Sequence, residues 1–482
     1  MTQNSSKSVT LDNQPRFSSK IAMILTCMGM AVGTGNIWRF PREVAKHDGG
    51  TFLIPWIIFL FLWSVPLLMV ELSIGQHTRK GPFGAFAKLG GRKLAWMGGF
   101  ISICTMLIMC YYAVVTGWTL KYLILAWTGQ LNGIGSEQSV ALFDSFRSTP
   151  QALFFHVAAL LLGGFFVYRG TKGIEWLNKI LIPALILILI IGAVNALLLP
   201  NAGVGLQYLF DVDASKLMSA EHWIAGLTQS AWSTGAGWGL MLSYAVYARD
   251  DEDPITTPMA TGSGNNGIEL IVALLIFPAT FALMTQGAAY ISGASSKGGI
   301  AFQVIPLLFG QMEGGPVLNI LFFSGLAFAA LTSLVAMLEL STRFFMDFGV
   351  PRRRAIVITL VMAILIGAPS ALSDKIFDDQ DFVWAVGLIV SGLFLNILVW
   401  IYGPAKFAGD MLDRNPGFIK PGKWFTVAMG LVLVEGLVLL GWWLYQMAGS
   451  GWRVLASCLF QFAIVIGALW LLNDRLVKRV KD

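Results

Sequence analysis

Gly29-Met30-Ala31-Val32-Gly33-Thr34-Gly35-Asn36-Ile37-Trp38-Arg39-Phe40-Pro41 is the stretch on which the reading of this chain turns. Apolar sequence precedes it (Ile21 to Met28) and resumes across Phe52 to Val70, so the stretch falls where a first membrane helix belongs. Closely spaced glycines followed by an Asn and an Arg make poor continuous helix. Inside a bilayer, unwound backbone survives only where it lines a cavity or is buried in protein. A helix broken at membrane depth therefore points to a substrate or ion site, although a glycine-rich packing seam between helices uses similar residues. A second run of the same type, Ser233-Thr234-Gly235-Ala236-Gly237-Trp238-Gly239, interrupts the apolar stretch from Trp223 to Ala248. Two such runs in one chain favour broken helices, because paired half-repeats produce breaks in pairs.

The rest of the chain supports an all-α polytopic membrane protein. Of 482 residues, 56% are hydrophobic and only 12% charged, about half the charge of a soluble protein. With ~20 apolar residues per crossing, about 12 transmembrane helices fit. Their limits are 19–45, 51–76, 94–127, 151–168, 174–199, 221–248, 266–291, 315–347, 354–372, 381–404, 424–447 and 452–473. Basic residues gather at Arg79 to Lys93, Arg352 to Arg354, Lys406 to Lys423 and Arg475 to Lys481, all on the side of the N-terminus. The positive-inside rule then predicts a multi-pass protein of the cell inner (plasma) membrane with both termini cytoplasmic. This asymmetry accounts for the net charge of +6, and no nucleic-acid partner is expected. Met1 to Ser18 lacks a cleavable signal's apolar core, so the first span is expected to be the insertion signal.

Cys27, Cys104, Cys110 and Cys458 all fall in spans, at spacings that suit packing rather than metal or disulfide. The four histidines are scattered, and no nucleophile–base pair or phosphate-cradling motif appears, so no enzyme chemistry is expected. The breaks lie in spans one and six, an odd number apart, so the second copy enters the membrane in the opposite direction. That is a 5+5 inverted repeat with broken helices 1 and 6, plus two C-terminal helices, and its site falls at the midplane between the breaks. The expected organisation is a cytoplasmic segment 1–18, a first repeat 19–199, an external loop and second repeat 200–405, and helices 11–12 with the tail 406–482.

Several motifs in order carry a resemblance: Ala31-Val32-Gly33 with Gly35-Asn36 and Arg39-Phe40-Pro41, then Gly49-Gly50, Pro55, Glu71, Tyr111-Tyr112 with Trp118, Ser233 to Tyr247, and Ala330-Leu331-Thr332-Ser333. Together they span nearly the whole chain, which resembles the neurotransmitter:sodium symporters, a family whose bacterial members carry amino acids. The resemblance implies two sodium sites, and Na⁺ as a hard cation requires oxygen ligands. The first maps onto the Ala31 carbonyl, Asn36, Ser233 and Asn265, completed by the substrate's carboxylate. The second maps onto the carbonyls of Gly29, Val32 and Ala329 and the hydroxyls of Thr332 and Ser333.

Free N–H groups and a half-helix dipole at the first break suit an anionic group, and Tyr112 matches the family's second donor to a carboxylate. Amine carriers of the family place an Asp where this chain has Gly33, so an amino-acid substrate is implied. The implied substrate positions are Ala31, Gly33, Gly35, Ile108, Tyr112, Trp232, Ser233, Gly235, Trp238, Ser333 and Met337. Arg39 and Asp381 are the implied outer gate, with Asp347 and its supporting Tyr247 on the inner side. The family's N-terminal Arg stands a few residues before an aromatic. Here Gln14 holds that place, and Arg16, directly before Phe17, is the expected partner of Asp347.

Animal members bind chloride beside a small hydroxyl residue, where this chain has Glu269 with Gln229 near it and Trp56 at a position usually held by Tyr. A fixed carboxylate replaces the anion, so transport is expected to be chloride-independent. In span five, Gly173 and Pro183 bracket a segment that either kinks or unwinds at its cytoplasmic end. The expectation is thus a sodium-coupled symporter of neutral amino acids in the lipid bilayer, working by alternating access. The alternatives are a non-transporting amino-acid sensor on the same fold and a proton-coupled relative, and the latter needs a titrating group that neither break contains. The particular amino acid, the stoichiometry and the oligomeric state are not legible.

Overall fold

The computed structural model describes residues 15–284, 287–293, 299–414, 419–450 and 452–480, and the regular structure among them is helical. Among the described residues, ten helices are individually long and apolar enough to cross a bilayer, and the pair Lys20–Ala31 and Thr34–Lys46, bent by 58°, forms a further span. Ala220–Ser233 and Leu240–Ala245 lie between the fifth and seventh spans as one interrupted helix, which brings the passages to twelve. Spans are numbered in that order below. Their burial is uneven. Span 3 (Arg92–Trp127) and span 8 (Gly315–Asp347) run through the middle, with 83% and 78% of their apolar windows buried, whereas span 12 (Trp452–Val477) has 11%. Phe460 and Trp470 on span 12 are each 67% exposed, a surface suited to lipid rather than water. The central helices carry Tyr112 and Ser333, so the site rests on the most enclosed part of the fold.

Local chemistry explains both breaks. In span 1 the helix ends at Val32, whose ψ is 104°, and Gly33 is extended. The Gly33 N–H, orphaned by the break, donates to Asn36 Oδ1 at 2.8 Å, so a side chain one turn on caps the second half-helix. In span 6 the connection from Thr234 to Gly239 places Gly235, Gly237 and Gly239 at φ of +72°, +89° and +77°, a conformation that costs glycine little. Glu71 of span 2 (Gly50–Thr78), fully buried, accepts from the Gly237 N–H at 2.7 Å and the Leu242 N–H at 3.2 Å, replacing helical partners that the break removes. Thr105 of span 3 donates to the Trp238 carbonyl at 2.7 Å.

Candidate substrate and sodium sites

A cavity of about 460 Å³ runs from the two breaks towards the face opposite the N-terminus. All eleven residues expected around a substrate line it, and so do Arg39 and Asp381. Towards its mouth it is bordered by Arg42, His47, Glu221, Trp442 and Gln446. At its floor, the Thr34 N–H donates to Tyr112 Oη at 3.3 Å, and Trp232 stands edge-on to Trp238 with ring centroids 6.0 Å apart. A methyl on Gly235 would meet only Leu240, at 3.8 Å, so this wall is open. Arg39 places its Cζ 4.9 Å from the Trp232 ring centroid, directly above that floor.

The side chains expected at the first sodium site meet one another. Asn36 Nδ2 donates to Asn265 Oδ1 at 2.8 Å and to Ser233 Oγ at 3.2 Å, and Asn265 Nδ2 donates to the same Ser233 oxygen at 2.6 Å. Three elements far apart in sequence therefore converge on one buried, oxygen-rich point beside the first break. Glu269 borders this triad. Its carboxylate accepts from Ser233 Oγ at 2.7 Å, Gln229 Nε2 at 2.6 Å and Trp56 Nε1 at 2.7 Å, and the residue is fully buried. The two further residues named with it, Gln229 and Trp56, thus both hold it.

The residues expected at the second site also lie together, between spans 1 and 8. Ser333 Oγ lies 3.0 Å from the Val32 carbonyl oxygen and 3.2 Å from that of Gly29, and Thr332 Oγ1 lies 3.1 Å from the carbonyl of Ala329. Both hydroxyls are buried, so they point into protein rather than lipid.

This geometry stands beside a match to the family model described as the sodium:neurotransmitter symporter family, over residues 14–141 and 152–450. The chain belongs to that family. It is 28% identical over 447 residues to an uncharacterised sodium-dependent transporter of Methanocaldococcus jannaschii, covering 86% of this chain and 87% of that one. A sodium- and chloride-dependent taurine transporter of Bos taurus is 26% identical, with coverages of 86% and 76%. The crystal structure of MhsT in complex with L-phenylalanine superposes with a TM-score of 0.78 at 28% identity, covering 92% of this chain and all of MhsT. This symporter is therefore a multi-pass membrane protein of a sodium-dependent transporter family, not an enzyme.

On the N-terminal face the symporter departs from expectation. Arg16 pairs with Asp250, in the loop after span 6, rather than with Asp347. Asp347 is engaged elsewhere: its carboxylate accepts from the Gly81 N–H at 3.1 Å and the Gly84 N–H at 3.2 Å, capping the short helix Pro82–Leu89. Arg343, one turn earlier on span 8, stands 3.9 Å from the same carboxylate, so a helix N-terminus and a neighbouring arginine compensate Asp347 without Arg16. Tyr247 likewise supports a different acid, donating to Glu339 Oε1 at 2.6 Å. Arg352 closes on that carboxylate in bidentate fashion, at 2.8 Å and 2.5 Å, and also donates to the Val167 carbonyl at 2.8 Å. Gln14 lies outside the described residues.

Further bonds close the same face. The Phe17 N–H donates to the Tyr247 carbonyl at 3.0 Å, and the Phe17 ring packs edge-on against Tyr244 and Tyr247. The Ser18 N–H donates to Glu175 at 2.9 Å, tying the N-terminal segment to span 5 (Gly170–Leu197). Arg79 joins Arg16 on Asp250, at 2.7 Å, and the bond from Arg16, then the charge of both arginines, holds the Asp250 carboxyl below the usual carboxylate range. That contribution is complete at neutral pH and is lost only as pH falls through the lowered value. Span 5, which Gly173 and Pro183 mark for a kink or an unwound end, is one continuous helix here.

The sequence reading missed Glu339 and Arg352. A signal exists for both: Glu339 is an acid inside an apolar helix, and Arg352 stands in a basic cluster that also marks topology.

Proposed function

We propose that this symporter couples the inward movement of Na⁺ to that of a neutral amino acid by alternating access, without chloride. The observation that carries the reading is the meeting of both helix breaks at one cavity floor, where Gly33, Thr34, Tyr112 and Gly235 share the lining with Asn36 and Ser233, which are bonded to Asn265. A zwitterion fits this polarity. Its carboxylate meets the half-helix N-terminus and Tyr112, and its ammonium meets carbonyls at the breaks. The carboxylate then stands beside the Asn36–Ser233–Asn265 triad, where it would be a ligand of the sodium ion and link the two cargoes. Trp232, Trp238, Ile108 and Met337 leave an apolar side-chain compartment that is open at Gly235, which supports an amino acid larger than glycine with an apolar side chain. The MhsT complex with L-phenylalanine is in keeping with that choice.

In this mechanism the cavity is the outward-facing entrance, and the closure around Phe17, Asp250 and Glu339 is the cytoplasmic barrier. Arg39 and Asp381 close over a bound substrate, after which spans 1, 2, 6 and 7 rock against spans 3–5 and 8–10 and the cytoplasmic barrier opens. A membrane potential of 100 mV supplies ~2.3 kcal/mol per charge moved.

The test is thermal stabilisation of the purified protein by each amino acid, in Na⁺ and in K⁺. The reading expects a subset of apolar amino acids to raise the Tm in Na⁺ only. Stabilisation without uptake into liposomes would instead make the protein a sensor. Tyr112→Phe removes one hydrogen bond to a charged carboxylate, worth about 1.5–3 kcal/mol. Amino-acid affinity should therefore fall by roughly 10- to 150-fold in equilibrium binding, while sodium-only stabilisation stays near wild type.

A further inference from the structure

Asn178 lies on span 5, two residues beyond Trp176, in a helix that contributes nothing to the sodium sites implied by sequence. It is fully buried. Its Nδ2 donates to the Ile174 carbonyl one turn earlier at 2.8 Å, and a carbonyl can only accept, so the orientation of the amide is fixed with Oδ1 pointing the other way. Oδ1 is aimed at span 1. A methyl on Gly29 would come within 1.7 Å of it and within 3.2 Å of Thr332 Cβ. The amide oxygen therefore packs against the Gly29 backbone, on the side of span 1 that also meets Thr332, and only a glycine leaves it room. It has no hydrogen-bond partner among the described residues. A Cα–H contact from Gly29 is weaker than the bond it replaces, so a buried amide oxygen held this way remains under-satisfied.

We propose that Asn178 Oδ1 is a ligand of the sodium ion at the second site, supplied by span 5 in addition to spans 1 and 8. This rests on the sodium-coupled reading above. The assignment gives the orphaned oxygen a cation partner of the hard-oxygen type that Na⁺ requires. It also gives span 5 a part in ion release. Glu175, one turn before Asn178, holds the Ser18 N–H at 2.9 Å and Lys179 at 2.5 Å, so opening the N-terminal face pulls on the same turn that carries the ligand. Withdrawal of Asn178 would then loosen the ion as its exit path opens.

The experiment measures the sodium concentration giving half-maximal thermal stabilisation of the full-length protein, with choline as the replacement cation and no amino acid present. Equilibrium binding of radioactive sodium serves as a second readout. Asn178→Ala should raise the half-saturating concentration by about tenfold or more, while the Tm in choline stays close to wild type. Asn178→Asp, which keeps the oxygen and adds charge, should bind sodium at least as tightly as wild type, and it decides the matter if the alanine variant will not fold. Thr332→Ala should weaken binding too, and Asn178→Ala should add less to that variant than it does alone. A wild-type sodium response with Asn178→Ala within twofold of it, or an aspartate variant that binds sodium worse than wild type, overturns the assignment alone. No sodium response in the wild type overturns the sodium-coupled reading on which it rests.

Discussion

In chloride-free buffer, Glu269→Ser should lower sodium-driven amino-acid uptake about 100-fold, and added chloride should restore it to within a few-fold of wild type. The Glu269 carboxylate is buried and reaches the Asn36–Ser233–Asn265 triad through one hydroxyl, Ser233 Oγ at 2.7 Å. At an effective dielectric near 20, a negative charge ~6 Å from a bound cation is worth about 3 kcal/mol, and its loss is a factor of ~10² in cation affinity. Serine removes both the charge and the volume. The donors that now hold the carboxylate, Gln229 Nε2 and Trp56 Nε1, remain in place around the space it leaves. With Ser233 Oγ, which donates to the carboxylate at 2.7 Å, and the new hydroxyl, four donors form a site for a monovalent anion. Glu269→Gln is the control: it loses the charge but keeps the volume, so chloride should not rescue it. Uptake by Glu269→Ser that is unchanged without chloride, or lost and not rescued by it, would show that the carboxylate does not stand in for an anion.

Arg352→Ala should open the N-terminal face. Glu339 is fully buried, and Arg352 supplies both hydrogen bonds of its bidentate contact. Removing one member of a buried pair costs about 3–5 kcal/mol, because the other charge is left without compensation. Spans 8 and 9 both belong to the scaffold, so the closed conformation bears that penalty only through Tyr247 of span 6. That residue donates to Glu339 at 2.6 Å and accepts from Arg352 at 3.1 Å, and loss of the Arg352 bond should move the balance between closed and open by roughly tenfold. Hydrogen exchange reads this directly, since the Phe17 amide is protected by the Tyr247 carbonyl and the Ser18 amide by Glu175. Exchange at both should accelerate by a similar factor. Unchanged exchange in Arg352→Ala would mean that the pair does not hold the face shut.

The two breaks were legible because the backbone itself needs unusual residues there: left-handed turns at Gly235, Gly237 and Gly239, and a side-chain cap from Asn36. The first-site triad was legible only through its register against the family, since an Asn within Gly264-Asn265-Asn266-Gly267 reads alone as a turn, whereas Asn265 is in the middle of the helix Thr256–Leu283. Charge pairing on the N-terminal face was not legible. Sequence gives the inventory of acids and bases but not which carboxylate is already satisfied by backbone N–H groups, as Asp347 is by Gly81 and Gly84. Glu339 was hidden by the apolar run around it, and Asn178 by the kink signals on either side. The partners of Glu339 come from other spans, and only the packed structure shows that the Asn178 oxygen has been left without one among the described residues.

The most direct measurement is uptake into liposomes containing the purified protein, with an inward Na⁺ gradient, an inward K⁺ gradient or no gradient, across the twenty amino acids. The account predicts concentrative uptake of one or more apolar amino acids, driven by Na⁺ alone and unaffected when chloride is replaced by gluconate. Uptake that proceeds equally in K⁺, or binding of an amino acid in Na⁺ with no accumulation under any gradient, would contradict it.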